Sequence, residues 1–351
     1  MKKSLLLAFA VMLTLGAIAE RIPSSISKLL NAEYAIKSCY VDSVDENKLV
    51  EDAIIGMLEK LDPHSQFTTA KETQELEEPL QGEFSGIGIQ FNLKQDTLYV
   101  IQTIPNGPSE RVGMLPGDRI IYVNDTTIAG VKIKNTDIQK KLRGKKGTKV
   151  TVKVKRGTHP ELITFVITRD KIPLHSVDAA YMLDEKTGYI KISSFGAKTY
   201  NEMIDKLHLL KKQGMRQLVV DLSDNGGGYM DAAIQMVNEF LDDEQLIVYT
   251  EGLNQSRAEA KANGRGEFKD MKLVVIMSQY SASASEIFAG AIQDWDRGLV
   301  LGRRSFGKGL VQRPFKFEDG SMMRLTVARY HTPSGRCIQK PYVKGDKKGY
   351  D

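Results

Sequence analysis

The sequence QLVVDLSDNGGGYMDAAIQMVNEFL, residues 217–241, predicts a buried strand, a glycine-rich loop and a helix in immediate succession. Residues 217–222 are an apolar run of strand length, and apolar side chains recur at helical spacing from Met230 onward. Downstream, the pattern predicts a strand at 272–277, a helix at 283–295 and a strand at 299–301. Strands that alternate with helices of this length predict βαβ units and a largely parallel sheet, which is an α/β fold.

The α/β pattern extends upstream of this segment. A strand is predicted at 189–193, and a helix is predicted to begin at Thr199 and to end before Gly214. Glu202 follows Thr199 by three residues, a spacing that predicts a capping box at the start of this helix.

The first part of the chain has a different character. Residues 22–61 show apolar side chains at helical spacing and are followed by the helix stop Asp62-Pro63. Residues 66–82 are acidic and are predicted to form turns. Between 84 and 155, short strand-like runs at 88–91, 98–104, 119–123 and 149–155 alternate with turns and enclose one helix near 136–142. The chain is therefore predicted to carry a helical region and a small β-rich module before its α/β core.

The N-terminus has the pattern of an export signal. A short basic start, Met1-Lys2-Lys3-Ser4, precedes an apolar run from 5 to 18 and the small-residue pattern Ala17-Ile18-Ala19. The mature chain is expected to begin near Glu20 and to be exported, to the periplasm or another extracytoplasmic space. The alternative is an uncleaved anchor, and membrane association is expected only in that case.

Charge and cysteine content exclude several function classes. Lys and Arg number 49 against 44 Asp and Glu, an excess too small to favour nucleic acid as the main partner. The two cysteines, Cys39 and Cys337, form no CxxC pair, so no thiolate metal site is predicted. No metal and no cofactor is expected.

Three glycine-rich loops are candidate binding sites. Residues 302–309, GRRSFGKG, nearly match a phosphate-binding loop, but Gly309 replaces the hydroxyl residue and Pro314 prevents a following helix, so a nucleotide site is not favoured. Residues 221–228, DLSDNGGG, can form an anion-binding concavity at the carboxyl end of a strand, or a plain strand-to-helix turn. The third loop, residues 82–89, offers free amides and a strand edge to a peptide carboxylate, or is an ordinary β-turn. Its candidate peptide-binding residues are Ser85, Gly86, Ile87, Gly88 and Ile89.

Ser283 is the candidate nucleophile. It stands between the predicted strand 272–277 and the next helix, and Glu286 three residues later predicts that Ser283 caps that helix. A capping serine has a structural role alone, but a helix N-terminus also offers amides and positive potential to an oxyanion. A serine needs a base. His331 is the best histidine candidate for this base. Lys308 is the alternative, and it can act as a base only where desolvation favours its neutral amine. In an extended strand Gln312 lies on the same face as Lys308 and can orient the lysine amine.

These motifs together resemble the C-terminal processing, or tail-specific, proteases of the S41 serine peptidase family. The resemblance covers nearly the whole mature chain and includes Tyr40-Val41-Asp42, Gly56-Met57-Leu58, Leu61-Asp62-Pro63-His64-Ser65, residues 82–89, Gly117-Asp118-Arg119-Ile120, residues 281–286 with Ala289-Gly290-Ala291, Gly307-Lys308-Gly309 with Val311-Gln312, and residues 332–336.

The resemblance implies a fold and a domain order. A PDZ domain at 83–171 is inserted between an N-terminal helical region, 20–82, and an α/β protease core of the ClpP/crotonase type, 172–351, after a signal peptide at 1–19. Members of the family usually continue beyond the region of Tyr350, so the core is expected to be truncated at its C-terminus.

The resemblance also implies the site and the reaction. It assigns the nucleophile to Ser283, the base to Lys308, the lysine-orienting amide to Gln312, and the oxyanion hole to the amides of Gly227 and Ala284. The implied activity is an ATP-independent serine endopeptidase that cuts exported proteins near their C-termini, with apolar C-terminal tails of protein or peptide substrates captured by the PDZ domain. The chain departs from the family pattern at Ser223, where an arginine is usual, and at His331, where a tyrosine is common.

Two alternatives remain open at this point. The chain can be a catalytically inactive PDZ-type adaptor that binds peptides, or a Ser–His enzyme that uses His331 as its base. The oligomeric state is also open, and a homodimer is one candidate.

Overall fold

The computed structural model describes residues 23–346 and residue 350, so the predicted signal peptide, 1–19, lies outside the described residues. The chain divides into two units. One contains the described residues up to Phe67 and those from Tyr342 onward, and the other contains Thr68–Pro341. None of the described helices combines the length and the hydropathy needed to cross a lipid bilayer.

The first unit contains two helices, α1 (Ser24–Cys39) and α2 (Glu46–Leu58), where the sequence predicts one helical region. The break follows from a local cap, because the side chain of Asp45 accepts a hydrogen bond from the Lys48 amide and starts α2. After α2, the Asp62 carboxylate accepts the amides of His64 and Ser65, which closes the predicted turn at Asp62-Pro63.

The prediction of turns over 66–82 is wrong, because most of this segment is helical. Strand β1 (Gln66–Thr68) is followed by helix α3 (Ala70–Gln81). Thr69 and Glu72 form a complete capping box at its start, and Gly82 ends it with a φ of +69°. The T-x-x-E signal is present in the sequence, and the acidic residues Glu72 and Glu75 are exposed, where their charges cost little.

The β-rich module is a six-stranded sheet in the order β3-β4-β5-β7-β8, with β6 beside β5. Each strand predicted between 88 and 155 is present. The module's elements are β2 (Glu83–Gly86), β3 (Ile89–Lys94), β4 (Thr97–Thr103), helix α4 (Pro108–Arg111), β5 (Arg119–Val123), β6 (Thr126–Thr127), helix α5 (Asn135–Leu142), β7 (Lys149–Lys155), β8 (Ile163–Thr168) and β9 (Asp170–Pro173). Strands β2 and β9 pair with each other where the chain enters and leaves the module.

The α/β core is built on a second sheet, in the order β10-β11-β12-β15-β16. Strands β11, β12, β15 and β16 are parallel, and only β10 runs antiparallel, which confirms the predicted largely parallel sheet. The elements are β10 (Val177–Met182), β11 (Thr187–Ile192), helix α6 (Thr199–Lys212), β12 (Gln217–Asp221), helix α7 (Met230–Asn238), β15 (Lys272–Met277), helix α8 (Ala284–Asp294) and β16 (Leu299–Gly302). Residues such as Ile190, Val220, Val275 and Phe288 form one buried core between sheet and helices.

A further sheet contains two hairpins, of which the sequence predicted only an extended conformation around Lys308 and Gln312. Hairpin β13 (Leu246–Gly252) with β14 (Gln255–Lys261) and hairpin β17 (Leu310–Lys316) with β18 (Met322–His331) join through the pairing of β13 with β18. This sheet brings β17 and β18, with Lys308 just before β17, beside the helix that follows Ser283.

The predicted capping box at Thr199 and Glu202 is wrong. Lys198 occupies the N-cap position of α6, and no side chain caps the helix there. The Glu202 carboxylate instead accepts the amide and hydroxyl of Ser176, at 2.8 and 2.9 Å. A partner distant in sequence therefore replaces the local one.

Candidate active site

Ser283 lies on a sharp turn between strand β15 and helix α8. Its φ of 57° and ψ of −111° are unusual for a residue with a side chain. A conformation of this kind costs on the order of 1–3 kcal/mol and persists only where surrounding contacts enforce it. A strained strand-to-helix turn is also the geometry that presents a nucleophilic serine in other hydrolase folds.

Glu286 connects Ser283 with the segment that contains Lys308. Its carboxylate is 2% exposed, and Oε2 accepts the amides of Ser283 at 2.8 Å and of Lys308 at 2.9 Å. Oε1 accepts the Ser305 hydroxyl and the Gly307 amide, each at 2.7 Å. The structure thus brings together the backbones of Ser283 and Lys308, which are 25 positions apart in sequence. From the sequence, Glu286 is predicted only to cap the helix after Ser283.

The glycine-rich loop 221–228 lies against the start of α8. Asn225 is fully buried, and its carbonyl accepts the Ala282 amide at 3.0 Å and the Ser285 hydroxyl at 2.9 Å. A Cβ placed on Gly227 would lie 2.8 Å from Ser283 Cβ and 3.0 Å from the Ala284 nitrogen. Only a glycine allows this approach, so Gly227, Ser283 and Ala284 form one cluster.

The amide of Gly227 is engaged within its own loop. It donates to Oδ1 of Asn225 at 2.8 Å, while Nδ2 of Asn225 donates to the Ile192 carbonyl at 2.9 Å. An oxyanion needs donors that point to the reacting oxygen. The oxyanion role of Gly227 therefore stays a prediction, and it requires Asn225 to release this amide.

Contacts of Lys191, Tyr189 and Asp221 hold the start of this loop. The family resemblance implies an arginine at position 223, where this chain has Ser223. Lys191 donates to the Ser223 carbonyl at 3.0 Å, and the Asp221 carboxylate accepts the Ser223 amide at 2.7 Å and the Tyr189 hydroxyl at 2.6 Å. Burial acts to raise the pKa of Asp221, but hydrogen bonds from Tyr189 and Ser223 and the charge of Lys191 hold that pKa below its ordinary value. Burial, followed by the bond to Asp221, raises the pKa of Tyr189. The loop is thus anchored at its first residues.

His331 has partners other than Ser283. Its Nδ1 lies 3.3 Å from the Gly335 carbonyl and its Nε2 lies 3.4 Å from Glu251, and its ring stacks on Tyr249 with centroids 4.7 Å apart. Glu251, on β13, is the carboxylate beside the His331 ring. The neighbouring Tyr330 hydroxyl donates to the Ser283 carbonyl at 3.2 Å. Strand β18 therefore supports Ser283 through Tyr330 and directs His331 to Glu251.

Lys308 and Gln312 lie on either side of the start of β17. Lys308 is half-buried, and the next residues, Gly309 and Leu310, are buried. The Nε2 of Gln312 donates to the Thr326 hydroxyl at 3.2 Å and to the Leu310 carbonyl at 3.1 Å. These bonds fix the Gln312 side chain across the β17–β18 pair.

The β-rich module has a groove between its glycine loop and helix α5. A cavity of about 110 Å³ is lined by Gly86, Ile87, Gly88 and Ile89, together with Phe84, Phe91, Gln139, Leu142 and Arg143. Ser85, the fifth residue predicted for peptide binding, lines a separate cavity of about 410 Å³ beside α3. The Arg143 guanidinium lies 4.5 Å from the Phe84 ring centroid and 3.3 Å from Glu78 of α3. The groove is therefore lined mainly by apolar side chains and glycines, together with the amide of Gln139 and the cation of Arg143.

Comparison with known proteins identifies both parts. Residues 186–348 match Peptidase family S41, residues 85–166 match the PDZ domain family, and residues 14–73 match the activating protease CtpB N-terminal domain. The groove thus lies in a PDZ domain, and the Ser283 site lies in an S41 peptidase core.

Similar proteins that align with most of this chain agree with these family matches. The chain is 35% identical over 325 residues to a probable CtpA-like serine protease of Staphylococcus aureus strain N315, covering 92% of this chain and 64% of that protein. A probable CtpA-like serine protease of Staphylococcus saprophyticus is 36% identical over 311 residues, covering 88% of this chain and 62% of the relative. The solved structure of a photosystem II D1 C-terminal processing protease superposes with a TM-score of 0.51 at 28% identity, covering 91% of each chain.

The fold and the family matches define an S41 peptidase core combined with a PDZ domain. The chain belongs to peptidase family S41, among the C-terminal processing proteases, which confirms the predicted resemblance and the predicted fold class. It spans just under two thirds of the length of the S. aureus and S. saprophyticus relatives, 64% and 62%.

Proposed function

We propose that this chain is an ATP-independent serine endopeptidase that cuts exported proteins near their C-termini. The observation that carries the proposal is the Glu286 carboxylate, which binds the backbone amides of Ser283 and Lys308 through one oxygen atom. A nucleophile and its base must be held within hydrogen-bond reach, and a shared buried anchor supports that geometry.

The proposed chemistry proceeds through an acyl-enzyme. The neutral amine of Lys308 takes the proton of the Ser283 hydroxyl as Oγ bonds to the scissile carbonyl carbon. The resulting ammonium gives its proton to the leaving amine as the C–N bond breaks. Water then attacks the carbonyl carbon of the Ser283 ester, and Lys308 accepts a proton from that water. As the ester bond breaks, Lys308 returns the proton to the Ser283 Oγ and the acid is released. Gln312 is proposed to orient the lysine amine, and the amides of Ala284 and Gly227 to stabilise the oxyanion.

The PDZ groove is proposed to capture the substrate. Its apolar lining suits apolar side chains of a C-terminal tail, and the loop Gly86-Ile87-Gly88 offers backbone amides to the terminal carboxylate. The apolar run before Ala19 supports the proposal that the enzyme acts on exported proteins outside the cytoplasm.

The proposal is tested with Ser283→Ala, Lys308→Arg and His331→Gln. Arginine keeps the charge of lysine but does not deprotonate, so Lys308→Arg and Ser283→Ala are expected to abolish cleavage of a protein with an apolar tail. His331→Gln is expected to retain cleavage, because the His331 ring is directed to Glu251 and Gly335. The wild-type rate should rise with pH as a lysine base loses its proton. Turnover by Ser283→Ala or Lys308→Arg at the wild-type rate would contradict the proposal.

A second candidate is an inactive peptide-binding adaptor. The bond from the Gly227 amide to Asn225 favours it, because that amide is occupied. Mass spectrometry of an exported-protein mixture after incubation separates the two candidates. The enzyme produces new C-termini that Ser283→Ala does not, and the adaptor binds tails without product.

A further inference from the structure

A short segment of the chain lies along both sides of Lys308. The Lys340 amide donates to the Gly307 carbonyl at 2.9 Å, and Oε1 of Gln339 accepts the Gly309 amide at 2.9 Å. Nε2 of Gln339 donates to the Lys340 carbonyl at 2.9 Å, which fixes the orientation of its own amide group. Gln339 is half-buried, so these bonds are partly shielded from water.

The two chain segments touch at Gly309. A Cβ placed on Gly309 would lie 2.5 Å from the backbone nitrogen of Gln339, a distance that no real contact of this kind shows. The absence of a side chain at position 309 therefore permits the hydrogen bond to Gln339. From the sequence, Gly309 is the residue that replaces the hydroxyl of a phosphate-binding loop and is part of the Gly307-Lys308-Gly309 motif, and neither observation predicts the contact with Gln339.

The backbone of residues 307–309 is consequently held by side chains at three successive amides. Glu286 accepts those of Gly307 and Lys308, and Gln339 accepts that of Gly309. These bonds orient the peptide groups on both sides of the Lys308 Cα, and those groups set where its side chain starts. A small displacement there moves an amine at the end of a four-carbon chain by a larger distance.

We infer that Gln339 is a positioning residue for the Lys308 base, acting through the Gly309 amide. The inference rests on the proposed function, since it takes Lys308 as the base. Glu286 holds this backbone from helix α8, and Gln339 holds it from the segment that follows β18. With both contacts in place, the point at which the Lys308 side chain leaves the backbone is fixed.

The test compares Gln339→Ala and Gln339→Glu with a matched control, Gln293→Ala. Gln293 also accepts one side-chain hydrogen bond, from Arg336 at 3.1 Å, but it lies at the far end of α8. Gln339→Ala is expected to lower kcat about tenfold to hundredfold with KM unchanged, because misplacement of a catalytic group affects the chemical step. The control should keep the wild-type kcat.

Gln339→Glu separates positioning from general stability. It keeps an acceptor for Gly309 and adds a negative charge near the lysine, which favours the protonated amine. The rate at high pH should be retained, while the rising limb of the pH profile moves to higher pH. If Gln339→Ala does not fold, as judged by thermal unfolding, this pH profile decides the question.

The outcomes separate the role of Gln339 from the proposed role of Lys308 as the base. Wild-type kcat in Gln339→Ala, or an unshifted profile in Gln339→Glu, overturns the role of Gln339 when Ser283→Ala and Lys308→Arg are inactive. Activity in Lys308→Arg overturns the proposed base itself. A loss of activity in Gln293→Ala equal to that in Gln339→Ala would show a general structural effect and would also overturn the inference.

Discussion

Ser283 and Lys308 donate their backbone amides to the same oxygen atom, Oε2 of Glu286, at 2.8 and 2.9 Å. The backbones of the candidate nucleophile and of the proposed base are therefore held by one buried carboxylate. The same carboxylate holds Gly307 and Ser305 through its second oxygen. Four donors around one buried anion form a network in which each bond depends on the others.

Replacing this carboxylate should reduce both activity and stability. Glu286→Gln presents an NH₂ group to two of the four donors, and each unsatisfied buried donor costs about 1–3 kcal/mol. We expect kcat to fall at least tenfold and the free energy of unfolding, measured with urea, to fall by a few kcal/mol.

Glu202→Gln is the matched control for Glu286→Gln. Glu202 is another carboxylate with several donors, at Ser176 and Val177, but it belongs to α6 and lies outside the site. It should lower stability and leave kcat unchanged. Equal kcat in Glu286→Gln and Glu202→Gln would show that Glu286 does not organise catalysis.

The glycine loop allows a second paired comparison, between Gly227→Ala and Gly226→Ala. Gly227 has a φ of +100°, and a Cβ there would lie 2.7 Å from the Ala282 carbonyl oxygen and 2.8 Å from Ser283 Cβ. A Cβ on Gly226 meets no atom within 4 Å. Gly227→Ala is therefore expected to lose activity, whereas Gly226→Ala is expected to keep it within a few-fold. Steady-state assays on one substrate decide the comparison, and equal rates would contradict the close approach.

The Asp221 brace predicts a pH-dependent contribution to stability. Because the folded-state pKa of Asp221 is depressed, its ionised form stabilises the fold above the unfolded pKa, which is about 3.9, and this stabilisation is lost as pH falls through the folded pKa. The difference in unfolding free energy between wild type and Asp221→Asn should be largest near neutral pH and should shrink below about pH 4. Urea titrations at several pH values measure it. Tyr189→Phe removes one hydrogen-bond donor to Asp221 and should show part of this loss of unfolding free energy. A difference between wild type and Asp221→Asn that does not change with pH would refute a stabilising role for ionised Asp221.

If the PDZ groove captures C-terminal tails, the affinity of a peptide for it should depend on a free C-terminal carboxylate. A fluorescent peptide with an apolar tail should bind the Ser283→Ala protein at least tenfold more tightly than the same peptide with an amidated C-terminus, because the amidated end has no charge for the Gly86-Ile87-Gly88 amides. Fluorescence anisotropy measures both affinities. Equal binding of the two peptides would show that the groove does not read the terminus.

Much of the fold was predictable because its signals are local. The strands at 119–123 and 149–155 and the helix after Ser283 follow from apolar periodicity and turn residues within a few positions. Two predictions failed for different reasons. The capping box at Thr69 was present in sequence but was overlooked, and the one expected at Thr199 was displaced when Glu202 bound Ser176.

The residues of the candidate site were predicted from the sequence, but the hydrogen bonds that hold their backbones were not. Ser283, Lys308, Gln312 and the glycine loop follow from motif order and from family resemblance, and the structure places Ser283, Gly227 and the Lys308 backbone together. The roles of Glu286, Asn225 and Gln339 do not follow, because their partners lie up to 60 positions away in sequence. No periodicity or propensity encodes such a pairing.

Local sequence was thus sufficient for most strands and helices of the β-rich module and of the α/β core, for the parallel sheet and for the choice of Ser283 as candidate nucleophile, since each depends on side chains close together in the chain. The conformation of Ser283, the engagement of the Gly227 amide by Asn225, and the fixing of residues 307–309 from two sides required the folded chain. Each of these features is a hydrogen bond or a steric limit between segments that become neighbours only when the hydrophobic core packs.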